Sequence, residues 1–202
     1  MARSVSVHIT PRLAKTSITP LQVTIGSLVV GLCAALAGSQ TNWAFCLLAA
    51  ILLEASHVLD CVDGELARLT GRGSPFAASL DPISDRVKDA AIIYAGIIHS
   101  ANTGVLDLSK NQIFTIGFLA LGLWNLYIYL VDTYLNPAQK AKASTIDKKA
   151  GRVYLGLYDF FIYGSIFFWI SNLFEYFTLF VTAIAFAGTI IQVERLRRAY
   201  KT

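Results

Sequence analysis

Apolar residues fill long stretches of this chain instead of marking one face of a periodic pattern. Six stretches come close to the roughly 20 residues that cross a bilayer as helix. They run about 21–38, 43–66, 77–99, 112–135, 153–171 and 173–196. The second and third are amphipathic at one end, where Asp, Arg and Lys intrude. The pattern predicts an all-α integral membrane protein with six transmembrane helices, in one domain spanning residues 1–202.

Local signals mark several of these ends. Thr19-Pro20 reads as a cap followed by a first-turn proline, opening the first span. Gly38 to Asn42 is a short polar turn. Asn136-Pro137 closes the fourth span, because proline disfavours helix in the residue before it. Gly151 precedes the fifth. Residues 1–18 form a juxtamembrane segment. Within it, Ser4 to Ser17 mixes Val5, Ile9 and Leu13 with Arg12 and Lys15, the pattern of an interfacial helix lying on the membrane. Pro11 weighs against it. The first apolar run ends without a small-residue cleavage site, so no cleavable signal peptide is expected.

Composition supports the membrane class. The chain is 55% hydrophobic and 15% charged, where a soluble domain carries about a quarter charged residues. A buried soluble bundle would lack the polar residues to coat itself. Charge then orients the spans. With six spans, 16 of the 17 Lys and Arg fall on one side, and only Lys110 falls on the other. The positive-inside rule places that side, with both termini, in the cytoplasm of a multi-pass cell-membrane protein. Cys33, Cys46 and Cys61 fall within or at the ends of spans and read as small packing residues. Trp43, Trp124 and Trp169 read as interface anchors and packing.

One segment carries chemistry: Asp60-Cys-Val-Asp63-Gly64-Glu-Leu-Ala67-Arg68, followed by Asp81-Pro-Ile-Ser-Asp85. Asp60 and Asp63 are three apart and share a helix face, as do Asp81 and Asp85, four apart. Two antiparallel helices can aim both pairs at one point near the cytoplasmic surface. Carboxylates crowded there repel one another and lose hydration. A divalent cation relieves both costs, and all-oxygen ligation suits Mg²⁺, Mn²⁺ or Ca²⁺ better than zinc. Gly64 lets a ligand approach the helix backbone. Ala67 is nearly as small, and Arg68 can fork onto a phosphate.

These residues resemble the CDP-alcohol phosphotransferase family, whose motif reads D-x2-D-G-x2-A-R-x8-G-x3-D-x3-D. Asp60, Asp63, Gly64, Ala67, Arg68, Asp81 and Asp85 match it with every spacing kept. Ala77 stands where the family has glycine, which bears on substrate fit. The resemblance implies metal ligation by Asp60, Asp63, Asp81 and Asp85, with two ions of Mg²⁺ or Mn²⁺ and Ca²⁺ as another occupant. It implies that Asp85 also acts as general base on the acceptor hydroxyl. Asp60, Gly64, Ala67 and Arg68 would line the CDP site. Many members open the first span with T-P-N-x-[IV]-T. Here Leu21 replaces the asparagine, and Thr24 carries over as a CDP contact. The implied reaction attacks the phosphorus bearing the alcohol, and CMP leaves. A homodimer with one site per subunit is implied, and no nucleic-acid partner.

The acceptor is less defined. The wording around Asp63 is similar to members that act on inositol phosphates, including those with a CDP-inositol donor. The basic loop from Lys140 to Arg152 reads as a positive-inside loop or as a subsite for an anionic acceptor, such as inositol phosphate or glycerol phosphate. Arg152 and Arg195 are the expected acceptor-phosphate contacts. The expected donor is a CDP-diacylglycerol-type lipid, in phospholipid biosynthesis. The alternative is CDP-inositol-dependent synthesis of a soluble inositol phosphodiester. Glu54 and His57, three apart, read as a hydrogen-bonding pair or a bond to a neighbouring helix, and Asp132 and Asp159 as aids to the acceptor site or partners of the loop lysines. The rival class is an ion-coupled transporter, which predicts acids distributed along a path through the bilayer.

Overall fold

A computed structural model describes residues 2–134 and 157–199. Among these residues there are seven α-helices and no strand. They are α1 (Ala2–Leu13), α2 (Pro20–Gly38), α3 (Trp43–Thr70), α4 (Pro75–Thr103), α5 (Lys110–Tyr134), α6 (Leu157–Ile170) and α7 (Phe177–Ala199), with a 3₁₀ turn at Phe174–Tyr176 leading into α7.

Among the described residues, four helices are long and apolar enough to cross a membrane: Pro20–Gly38, Trp43–Thr70, Lys110–Asp132 and Phe174–Glu194. The third expected span lies in α4. Its 29 residues have the length, but Asp81, Asp85, Arg86, Lys88 and Asp89 crowd its first half. The fifth is represented by a shorter apolar helix, Phe160–Ile170. Its expected start, Gly151 and the Asn136-Pro137 stop lie outside the described residues.

The caps follow from the sequence. Thr19 caps α2: its Oγ1 accepts from Gln22 N at 3.3 Å while Gln22 Oε1 accepts from Thr19 N at 2.9 Å, with Pro20 at the first position. Asn42 caps α3, and Ser74 caps α4 by accepting from Ala77 N at 3.1 Å. Gly71 ends α3 at φ 65°, a left-handed conformation that suits glycine and turns the chain into α4.

Helix α2 packs between α3 and α4. Its contact face is small: Ser27, Gly31, Ala34, Ala35 and Gly38 are buried. Small residues let backbones approach without a hydrophobic drive between helices. The approach is tightest at Gly38, where an added Cβ would run into the Trp169 ring. The larger core gathers aromatic rings from α5, α6, the 3₁₀ turn and α7. Trp124 stacks on Phe161 at 4.4 Å, and Phe174 on Phe177 at 4.9 Å.

The N-terminal segment is a helix despite Pro11, which falls in its last turn and has no N–H for the Val7 carbonyl. It docks on α3. Ser6 Oγ donates to Glu65 Oε1 at 2.8 Å, and Thr10 Oγ1 donates to Glu65 Oε2 at 2.7 Å. Val5 and Val7 remain exposed. At the other end of the bundle, Ser100 Oγ donates to Glu175 O at 2.8 Å, and His99 Nδ1 lies 2.9 Å from Gln40 O.

Candidate active site

Three helices build the site. α2 brings Thr24, α3 brings Asp60, Asp63, Gly64, Ala67 and Arg68, and α4 brings Ala77, Asp81, Asp85 and Lys88. The chain turns at Gly71 into α4, and α2 packs against both α3 and α4, so that Asp81 comes to the Asp60–Asp63 pair while Asp85 stays outside it. One oxygen from each of Asp60, Asp63 and Asp81 lies within 4.8 Å of the others. That is about twice a metal–oxygen bond of 2.0–2.6 Å, so one ion can touch all three. Asp81 Oδ1 is buried with no hydrogen-bond partner among the described residues. A buried oxygen left so is costly unless a ligand completes it. The donor set therefore fits a hard divalent cation.

Asp63 is the most enclosed of the four. Thr24 Oγ1 donates to Asp63 Oδ2 at 2.6 Å, which orients that carboxylate. Asp85 lies outside the trio and turns to Lys88, whose Nζ is 2.9 Å from Asp85 Oδ1. That oxygen makes no hydrogen bond of good angle, so the contact is an ion pair. The same Nζ is 2.8 Å from Asp60 Oδ1 and 3.1 Å from Ser27 Oγ.

Beside the trio opens a groove of about 260 Å³, lined by Thr24, Asp63, Gly64, Ala67, Arg68, Ala77 and Asp81 among others. Of the expected CDP contacts, Thr24, Gly64, Ala67 and Arg68 line it, whereas Asp60 does not and adjoins it only through Asp63 and Asp81 of the trio. Gly64 lacks a side chain in front of Arg68, whose Nη1 would lie 3.4 Å from an added Cβ. Ala77 is buried in the groove wall, so its methyl takes space there. Pro82, one turn on, has no N–H for the Ala78 carbonyl, and Ala78 also lines the groove.

Behind Asp85 is a second buried carboxylate. Asp89 Oδ2 accepts from Trp124 Nε1 at 2.9 Å and meets Arg86 Nη1 at 3.4 Å. A small cavity there is lined by Ser56, His57, Asp60, Lys88, Asp89 and Tyr158 among others. His57 meets Tyr163 edge-on at 6.2 Å, and Glu54 Oε2 is buried without a hydrogen-bond partner among the described residues. Lys88 and Asp89 were legible only as charges near a helix start. The signal that could have singled them out is helical register: Asp81, Asp85, Lys88 and Ile92 fall on one turn-by-turn stripe of α4.

The remaining expectations divide. Trp124 and Trp169 are fully buried and serve as core, whereas Trp43 is half exposed and donates to Ile170 O at 3.2 Å. Cys46 is buried, Cys61 half-buried and Cys33 exposed; all three are free. Arg152 and the basic loop lie outside the described residues, as do the side chains of Asp159 and Arg195.

Comparison with known proteins agrees with the motif. The chain is 40% identical over 82 residues to an archaetidylinositol phosphate synthase of Pyrococcus horikoshii, covering 41% of this chain and 42% of that protein. It is 36% identical over 97 residues to a bifunctional IPC transferase and DIPP synthase of Aquifex aeolicus, covering 48% of this chain and 22% of that protein. The match thus spans less than half of each relative. Among solved structures, phosphatidylinositol phosphate synthase of Mycobacterium tuberculosis, crystallised with manganese and citrate, shares the fold. The TM-score is 0.64 at 20% identity, covering 96% of this chain and 88% of that one. The family model for CDP-alcohol phosphatidyltransferases matches residues 17–191, nearly the whole chain and all of the site just described. The chain belongs to the CDP-alcohol phosphatidyltransferase family.

Proposed function

We propose that this protein transfers a substituted phosphate group from a CDP-alcohol donor to the hydroxyl of a phosphorylated polyol, with CMP as the leaving product. The observation that carries this reading is the groove: Arg68, Gly64 and Ala67 line it together with Asp63 and Asp81, two members of the converging trio. A diphosphate laid along it would meet the Arg68 guanidinium and reach the carboxylates through a bound cation. Mg²⁺ or Mn²⁺ held there supplies charge stabilisation to the diphosphate and the departing phosphate.

The chain's own groups do the rest. Gly64 and Ala67 leave the α3 backbone open to the nucleotide. Thr24 fixes Asp63. Asp85 takes the proton of the acceptor hydroxyl as its oxygen attacks the phosphorus bearing the alcohol, since a neutral hydroxyl is a weak nucleophile. The bond from that phosphorus to the CMP oxygen breaks, and CMP departs with the electron pair. Asp85 would help to hold a second ion, and in this structure Lys88 Nζ lies between Asp60 and Asp85.

The relatives' names favour an inositol phosphate acceptor, held at its phosphate by Arg152 and Arg195, and a lipid donor of the CDP-diacylglycerol type. The Aquifex relative, named for IPC transferase and DIPP synthase activities, favours a second reading in which CDP-inositol is the donor and the product a soluble phosphodiester. A transporter would spread its acids along a path, whereas here the motif carboxylates gather at one end of the bundle. The charge pattern supports six spans in the cell membrane, both termini and the site facing the cytoplasm, and α1 lying in the interface with Val5 and Val7 toward lipid. Family resemblance supports a homodimer.

The test is CMP release by the purified protein in nanodiscs with Mn²⁺ or Mg²⁺. Donors are CDP-diacylglycerol-type lipids and CDP-inositol, acceptors inositol phosphate, glycerol phosphate and inositol. CMP and a phosphodiester of the expected mass support the reading. No CMP from any pair would sink it.

A further inference from the structure

The family motif ends at Asp85, and Lys88 lies one turn beyond it, yet its ammonium is inside the acidic cluster. Its seat is built. Nζ donates to Asp60 Oδ1 at 2.8 Å and to Ser27 Oγ at 3.1 Å, and it forms an ion pair with Asp85 Oδ1 at 2.9 Å. Ser27 is itself fixed, donating to Ser56 O at 3.0 Å. The stem crosses α2 where Gly31 leaves room. A Cβ there would lie 2.8 Å from Lys88 Cδ and 2.9 Å from Cγ. Lys88 is 5% exposed, so it is not one of the interface charges that orient a membrane protein.

The carboxylates are thereby sorted. Asp60, Asp63 and Asp81 converge on one another, while Asp85 is drawn away toward the ammonium that it shares with Asp60. A divalent ion bound to Asp60 Oδ1 and Asp85 Oδ1 together at 2.0–2.6 Å would sit where Nζ sits, or so near it that the two like charges repel strongly. Gly31 and Ser27 hold the stem in that place.

We propose that Lys88 supplies the second positive charge of this centre: one divalent cation on Asp60, Asp63 and Asp81, and the Lys88 ammonium between Asp60 and Asp85 where a second cation would otherwise bridge them. This rests on the transferase reading above, and it replaces the two-ion expectation with one ion and one fixed ammonium. Lys88 is then a positioning residue. It neutralises charge between the two motif helices and sets the orientation of Asp85 before the acceptor arrives.

The test counts metal without substrate. The full chain in nanodiscs is equilibrated with Mn²⁺, and bound manganese per chain is read by elemental analysis and electron paramagnetic resonance. One Mn²⁺ per chain, with the spectrum of an isolated ion, is expected. Lys88→Met should bind two, with the spectrum of a spin-coupled pair. Two Mn²⁺ in the unaltered chain would overturn the proposal. So would a single Mn²⁺ in both Lys88→Met and Lys88→Ala when their size-exclusion profiles and melting are unchanged. If neither variant folds, the count on the unaltered chain decides alone. CMP release from the same preparation keeps the two claims apart. Two Mn²⁺ with CMP release removes Lys88 from the role and leaves the transferase, whereas one Mn²⁺ without CMP release removes the transferase and leaves the charge arrangement.

Discussion

Asp85 differs from Asp63 and Asp81 by its partner, the Lys88 ammonium that it shares with Asp60. Asp63 is held by a neutral hydroxyl and Asp81 keeps a bare buried oxygen, whereas Asp85 faces an ammonium at 2.9 Å. A base must be oriented before it can act, and the ion pair provides that orientation. Asp85→Asn should lower turnover about 100- to 10,000-fold while CDP affinity changes little. Unchanged turnover would remove Asp85 as base. Ala77→Gly tests the groove wall. Deleting a methyl that takes space there should change the donor KM and leave kcat, the pattern of altered uniform binding. A fall in kcat with KM fixed would instead place Ala77 in the reacting geometry. The two Asp pairs were legible because spacings of three and four fix one helix face. Lys88 was not, because a lysine near a helix start counts as a topology signal until packing shows it buried. Type alone leaves Trp124 between interface anchor and packing for a similar reason. Only the fold reveals that its N–H donates to Asp89.

At the scale of elements, the site depends on how closely α2 lies against its neighbours. Gly38 is the sharpest contact, with the Trp169 ring filling the space of a side chain. Gly38→Ala should destabilise the bundle by about 1–3 kcal/mol, the usual cost of overpacking. The change would appear as an earlier loss of tryptophan fluorescence on heating in detergent. Unchanged melting would mean that Trp169 does not press on α2. The beginning of α2 was readable from Thr19-Pro20, because capping is local. The docking of α1 was not. Ser6 and Thr10 meet Glu65 across more than fifty residues of sequence, and no periodicity predicts a contact of that range. The same docking explains why Pro11 did not prevent the helix.

At the scale of the whole molecule, charge asymmetry and site location make one statement. With six spans, the charge pattern would put the motif, the basic loop and both termini on one side and Lys110 on the other. In intact cells, Lys110→Cys should react with an impermeant maleimide, and Arg72→Cys should react only after permeabilisation. The reverse pattern would invert the topology. Arg152→Ala should raise the acceptor KM and spare kcat if that residue holds the acceptor phosphate. An unchanged KM would return the loop to a topological role. Composition gave the membrane class and the motif gave the family, since both are written in residue type and short spacing. The number of spans is less legible. α4 is long enough but carries its charges in the chemistry of the site, so length and apolarity part company there.

The central claim is that a hydroxyl oxygen of the acceptor becomes bonded to the phosphorus that carried the donor alcohol. Inositol phosphate labelled with ¹⁸O at its free hydroxyls, incubated with the CDP-alcohol donor and Mn²⁺, tests this directly by mass spectrometry. The account predicts that the label is retained in the new phosphodiester and that the released CMP is unlabelled. Label in CMP, or a phosphodiester that has lost it, would contradict the account.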